Sequence, residues 1–354
     1  MSVTSVAEVV AQIGPPDAGA ARRALERLDR LTKPPGSLGR LEELSVKLAG
    51  IFGSERPRLR DKTVIVAAGD HGVVAQGVTA YPQEVTAQMV ANILAGGAAV
   101  SVMARQAGVR LVVVDAGVAG EVGAHPELRL ASAGKGTADI TQGPAMSRAQ
   151  AQECVLAGVA LASEAAEAGA DLIGVGDMGI GNTTASSAII SAVTGVTPEK
   201  TTGRGAGRSN DELDAKIEVV RRALAVNRPD PGDALDVLAK VGGFEIGLLA
   251  GVILGGAAAR RAVVLDGFIT AAAALIACGL APPAGDYCFA SHRSVERGHR
   301  VALRWLRLRP LLSLRMRLGE GTGAVLAMGL LEAAAACLRE MATFEEAAVS
   351  GRGR

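Results

Sequence analysis

Aromatic side chains are scarce in this 354-residue chain, which holds five Phe, two Tyr and one Trp, 2% of the total. Single-strand nucleic-acid binders stack bases on such rings, so that class loses its platform. An excess of charge of either sign is also missing, because 37 basic residues face 36 acidic ones. No global positive field gathers nucleic acid or anionic lipid, and neither is an expected partner. Paired cysteines are absent: Cys154, Cys278, Cys288 and Cys337 lie far apart without C-x-x-C spacing. They read as reduced packing residues of a cytosolic protein. His292 and His299 lack the spacing of zinc ligands and have no cysteine pair nearby, so no metal site is expected. The opening "MSVTSVAEVVAQIG" has no basic stretch leading into an apolar core and does not read as a signal peptide. A cytoplasmic location follows as the expectation. Nor is there a clean membrane-length run, because Arg260, Arg261 and Asp266 break "IGLLAGVILGGAAARRAVVLDGFITAAAALIACGLAPPAG". That region reads as buried helix, strand and buried helix.

Four short apolar segments are present instead, and each ends in an acid or a glycine: "DKTVIVAAGDHG", "VRLVVVDAG", "ADLIGVGDMG" and "RAVVLDGF". Ala-rich helical stretches follow them. Strands buried on both faces and alternating with helices predict an α/β fold around a parallel, Rossmann-like sheet. Ligands of such sheets bind at the carboxyl ends of the strands, where Asp70, Asp115, Asp177 and Asp266 fall. The chain up to about Phe52 shows only helical patterns around "KPPGSLGR", and one long helix pattern runs on from about Gly321. The alanine bias itself reads as no more than a GC-rich genome.

Gly174, Gly176 and Gly179 fall in G-x-G-x-x-G register directly after a strand. A dinucleotide site also needs an acid ending the next strand about twenty residues on, and Glu199 in "VTPEK" has no strand before it. What remains is a glycine loop ahead of Asn182, Thr183 and Thr184 at a helix start. That start suits an oxyanion or phosphate, or is ordinary N-capping by Asn or Thr. "TGRGAGR", Thr202 to Arg208, adds a second glycine loop, and Lys216 is expected at the start of the next helix. Together they favour a monophosphate site.

Near "AAGDHGVVAQGVTAYPQEVTAQMV", a strand-end loop at Asp70 to Gly72 precedes a helix expected to begin near Pro82. Gln83, Glu84 and Gln88 could line a pocket or form a solvated helix face. His71 beside Asp70 suggests a catalytic pair, but adjacent side chains usually point apart. "VVVDAGVAG" offers Asp115 alone where pyrophosphate-and-magnesium sites want two successive acids. Neither a pyrophosphate substrate nor an essential magnesium is expected. In "RLGEGTGAVLAMG", Thr322 is the expected N-cap and places Glu320 just ahead of a long helix. The dipole favours an ionised Glu320, and an apolar surround raises its pKa. From these residues alone, a general base and an acid that only stabilises the helix dipole stand level.

Taken in order, "LTKPPGSLGRLEELSVKLAG", "DHGVVAQGVTAYPQEVTAQMV", "GPAMSRAQA", "VGDMGIGNTTASSA", "KVGGFEIG", "VVLDGFITAAAAL", "SHRSVERGHRVAL" and "MRLGEGTGAVLAM" resemble one family. That family is nicotinate-nucleotide:dimethylbenzimidazole phosphoribosyltransferase, which assembles the cobalamin nucleotide loop. The resemblance runs from about Leu31 to Met341. It implies displacement of nicotinate from nicotinate mononucleotide by 5,6-dimethylbenzimidazole, with inversion, and Glu320 as general base. It places the ribotide phosphate at Gly181, Asn182, Thr183 and Thr184 and at the loop of Gly203 and Gly205. Lys216, and Asp266 with Gly267, would stand near the phosphate or the ribose. Tyr81, Pro82, Gln88 and Leu318 would help form the base pocket. Asp177 stands where the family usually has Glu, which puts its role in question. The resemblance further implies a homodimer with no cofactor. Within one catalytic unit, roughly residues 60–320 would form the α/β part. Approximately residues 1–55 and 322–345 would form a small helical lobe from the two chain ends. Two other readings are a nucleoside or nucleotide hydrolase or phosphorylase, and a nucleotide-binding sensor without turnover.

Overall fold

A computed structural model of the chain describes residues 5–204 and 210–350. Its centre is a six-stranded sheet in the order β3-β2-β1-β4-β5-β6. The strands are β1 (Asp61–Gly69), β2 (Arg110–Gly117), β3 (Leu128–Leu130), β4 (Ala170–Met178), β5 (Ala262–Leu265) and β6 (Cys288–Ala290). Every neighbouring pair is parallel. The four strands expected from sequence are β1, β2, β4 and β5. The three-residue strands β3 and β6 carry too little pattern to be read in advance.

Strand order reverses direction between β1 and β4, and a crevice opens outside their carboxyl ends at such a switch point. Register brings acids to that edge, since Asp177 pairs with Ala67 while Asp115 pairs with Ala68 on the other side of β1. The region around Asp266 forms two buried helices, Phe244–Ala258 and Phe268–Leu280, with β5 between them, as expected. Among the described residues, two stretches have the length and hydropathy to cross a bilayer, Val85–Ala107 and Thr322–Glu340. The first is broken into two helices, Val85–Leu94 and Ala99–Ala107. The second packs against the sheet, where a Cβ on Gly174 would touch its Met328 and Ala324.

Small residues do more here than reflect base composition. A Cβ at Gly158 would overlap the Leu248 carbonyl, and one at Gly251 would overlap that of Val155. The Arg148–Glu167 and Phe244–Ala258 helices therefore pack backbone against backbone, which larger side chains would forbid. The chain ends also meet. Ala24, Leu28, Leu31, Ala49 and Leu338 form a second apolar cluster apart from the main core. Arg27 sews it shut by donating from Nε to the Leu338 carbonyl at 2.8 Å and from Nη2 to that of Met341 at 2.9 Å.

Candidate active site

A cavity of about 510 Å³ sits at the carboxyl ends of β1, β4, β5 and β6, a size typical of small-molecule sites. One wall is mainly apolar, formed by Val78, Tyr81, Val85, Met89, Ile180 and Leu318. Asn182, Thr183, Arg204 and Lys216 form a polar stretch, and Asp177 and Glu320 face the same space.

The polar stretch begins where β4 ends. Gly181 is the N-cap of the Asn182–Thr194 helix, with φ +97°, and has no side chain to offer the first amides. Neither polar neighbour supplies the missing cap. Asn182 turns its Nδ2 to the Asp177 carboxylate at 3.0 Å, and the Thr183 hydroxyl accepts from Lys216 Nζ at 2.6 Å. The N-capping alternative thus gives way to a helix start open to an anion, with a lysine beside it. Lys216 reaches it from inside the Asn210–Asn227 helix, not from that helix's start, because the helix begins earlier than expected.

Glu320 lies on an unusual turn. Gly319, Glu320 and Gly321 all have positive φ, +88°, +62° and +91°. A left-handed conformation costs a residue with a side chain about 1–2 kcal/mol, so the flanking glycines confine that cost to Glu320. Its amide donates to the Asp177 carbonyl at 2.9 Å, and its Oε2 accepts from Val100 N at 3.5 Å. Burial raises its pKa above the ordinary carboxylate value, and the Val100 amide opposes that rise. Thr322 is not the cap of the following helix. Gly321 is, and the Thr322 hydroxyl turns back to the Gly319 carbonyl. The capping acceptor comes from Asp266, 55 positions earlier, which no local pattern could reveal.

Asp177 is buried, with Oδ1 unpartnered. Burial, with the charges of Asp266 and Glu245, pushes its carboxyl well above the usual range and favours the protonated form. The glycine register in "GVGDMG" answers three close approaches, not a dinucleotide. A Cβ at Gly174 would crowd Val64 at 2.7 Å and Met328 at 2.9 Å. At Gly176 it would overlap the Gly321 amide, and at Gly179 the Gly69 carbonyl.

The neighbouring acids are structural ties. Asp115 Oδ1 accepts from Gly117 N and Val118 N at 2.9 and 2.8 Å. Asp70 accepts from the Thr86 hydroxyl at 2.6 Å and from Ala119 N at 2.9 Å, while Thr86 accepts from Ile180 N at 3.1 Å. That relay joins three strand-end loops. His71 does not pair with Asp70; its Nε2 meets Glu245 Oε1 at 2.6 Å, with both side chains buried.

Of the residues expected from sequence, Tyr81, Asp177, Gly181, Asn182, Thr183, Lys216, Gly267, Leu318 and Glu320 line the cavity together. Pro82, Gln88, Thr184, Gly203 and Asp266 are not on its wall. Pro82 and Gln88 are exposed, Thr184 and Asp266 fully buried, and Gly203 packs against Glu296. Gly205 lies outside the described residues. The wall adds His292, which the sequence offered only for a zinc-ligand spacing it does not meet, and Ser294, Glu296 and Arg317, which it did not place in a site. The first three follow β6, so recognising that short strand would have flagged its loop. Among the described residues, no group of three or more His, Cys, Asp or Glu side chains is placed to hold a metal ion.

A helix start open to an anion across from an apolar wall, with a buried carboxylate facing both, fits transfer of a phosphorylated group, and the matching family gives the class. Residues 13–349 match the family model described as phosphoribosyltransferase. A protein of Roseiflexus sp. (strain RS-1) is 60% identical over 347 residues, covering 98% of each chain. One from Deinococcus radiodurans is 51% identical over 356 residues, covering 99% of this chain and 97% of its own. Both are named nicotinate-nucleotide–dimethylbenzimidazole phosphoribosyltransferase. A crystal structure of the enzyme so named from Thermus thermophilus superposes with a TM-score of 0.90 at 49% identity, covering 95% of this chain and 100% of its own. The chain belongs to the nicotinate-nucleotide–dimethylbenzimidazole phosphoribosyltransferase family.

Proposed function

We propose that this enzyme transfers the 5-phosphoribosyl group of nicotinate mononucleotide to 5,6-dimethylbenzimidazole with inversion, releasing nicotinate and forming the α-ribotide of cobalamin synthesis. The observation that carries this reading is the position of Glu320, a buried carboxylate on the wall shared by the anion-holding helix start and the apolar side chains. The phosphate rests on the first amides of the Asn182–Thr194 helix, beside Lys216 and Thr183. The flat base lies against Tyr81, Met89 and Leu318. One benzimidazole nitrogen bonds to the anomeric carbon as the bond to the pyridinium breaks, its electron pair passing to the ring nitrogen. The pyridine leaves neutral in its ring and needs no acid. The proton on the other benzimidazole nitrogen passes to Glu320, which discharges the incoming base. Asp177, favoured in its protonated form, is a poor nucleophile and a suitable donor to a ribose oxygen.

Nicotinate release that requires added dimethylbenzimidazole tests this reading, whereas equal release into water or phosphate is the hydrolase or phosphorylase outcome. Replacing Lys216 with Met is expected to raise KM for nicotinate mononucleotide about tenfold or more, the scale of one charge-assisted hydrogen bond. Nicotinate riboside, which has no phosphate, is expected to lose much less. Equal losses for the two donors would remove Lys216 from the phosphate site. We read the chain as working in the cytoplasm as a homodimer.

A further inference from the structure

Asp266 stands out because it is fully buried and absent from the cavity wall, yet both of its carboxylate oxygens are committed. Oδ2 accepts from Gly321 N at 3.0 Å and Oδ1 from Gly323 N at 2.7 Å. These amides immediately follow Glu320 and open the Thr322–Glu340 helix. On the other side, the Glu320 amide is tied to the Asp177 carbonyl at 2.9 Å. Glu320 is therefore held from both sides in the left-handed conformation that three successive positive φ values demand.

The surroundings are built for this approach. The Ser291 hydroxyl donates to the Asp266 carbonyl at 2.6 Å, and His292 Nδ1 lies 3.8 Å from Oδ1. A Cβ at Gly323 would overlap that imidazole nitrogen and come within 2.7 Å of Oδ1. The three glycines of "GEGTG" thereby divide into two kinds: Gly319 and Gly321 supply positive φ, and Gly323 supplies room for the carboxylate. A residue that only touched ribose would need neither arrangement.

We propose that Asp266 is a positioning residue, a clamp that sets the direction of the Glu320 carboxylate and does not contact the ribotide. The proposal rests on the phosphoribosyl transfer described above. With the clamp in place, Glu320 meets the N–H of the incoming base. Without it, the turn relaxes toward ordinary φ and the carboxylate is displaced, an error that can cost about 100-fold when it reaches 1 Å.

The test compares Asp266→Asn, Gly323→Ala and Glu320→Gln with the wild-type enzyme, using nicotinate mononucleotide and dimethylbenzimidazole. Asparagine keeps only one acceptor for two amides, and the alanine methyl pushes the carboxylate away without altering any charge. Each is expected to lower kcat about 30- to 100-fold while KM for nicotinate mononucleotide stays within about threefold. The double variant Glu320→Gln, Asp266→Asn is expected to be no slower than Glu320→Gln by more than about threefold, because the clamp acts only through Glu320. Three results would overturn the proposal: a tenfold rise in donor KM at nearly unchanged kcat, multiplied losses in the double variant, or full activity of Gly323→Ala. Should Asp266→Asn not fold, Gly323→Ala reads the same clamp alone. A wild-type enzyme that releases no nicotinate would instead defeat the underlying function, and the clamp with it.

Discussion

Replacing Glu320 with Gln lowers kcat by about 100-fold or more, the usual scale for losing a general base, while donor KM changes little. Glutamine has nearly the same size and can accept from Val100 N as the carboxylate does, so the turn survives. What disappears is the capacity to take a proton. The same argument sets the pH dependence. Burial raises the Glu320 pKa, and the group acts only when ionised, so the wild-type rate falls as pH drops through that raised value. Steady-state kinetics of the two proteins, with the wild type measured between mildly acidic and neutral pH, checks both statements. A near-wild-type kcat for the Gln variant would remove Glu320 from the chemistry.

The second large effect is expected at a residue that carries no charge itself. Gly176→Ala, inside β4, places a methyl against the Gly321 amide and 2.6 Å from the Glu320 carbonyl carbon. Strand backbone is held by parallel pairing, Gly176 to Val66 on one side and the preceding Val175 to Leu265 on the other, and yields less than a turn does. The Glu320 turn must move instead. A displacement on the order of 1 Å costs about 100-fold in kcat, with the donor still bound at the Asn182–Thr194 helix start. Overpacking should also destabilise the protein by about 1–3 kcal/mol, visible as a lower melting temperature. Unchanged kcat would show that the turn tolerates the shift and that its geometry is not critical to turnover.

Legibility in the sequence followed distance along the chain. Strands β1, β2, β4 and β5, the anion-ready helix start and Glu320 all announce themselves within a dozen neighbouring residues, through apolar runs, glycine loops and an isolated acid. The family resemblance then ordered them, and the matching model and relatives agree with that ordering. What stayed hidden depends on chain segments far apart. Asp266 capping a helix 55 positions later, His71 meeting Glu245 in place of its neighbour, and the Asp70–Thr86–Ile180 relay have no local signature. Short strands were hidden for a different reason. Three residues, as in β6, are too few for a period, so the loop bearing His292, Ser294 and Glu296 was not recognised as a strand end. Glycine at positions 158 and 251 has no local signature either, because the close helix packing that requires it joins segments about ninety residues apart.

One measurement bears most directly on a single displacement driven by one base: the anomeric configuration of the ribotide product, determined by nuclear magnetic resonance after wild-type turnover. Asp177 is a second buried acid on the cavity wall, and an ionised Asp177 could attack first and give net retention, as paired carboxylates do in retaining glycosidases. Its burial among other acids favours the protonated form, so direct attack by the base is expected to yield only the α-ribotide, one molecule for each nicotinate released. A β-configured product, or nicotinate released in excess of ribotide, would contradict the account.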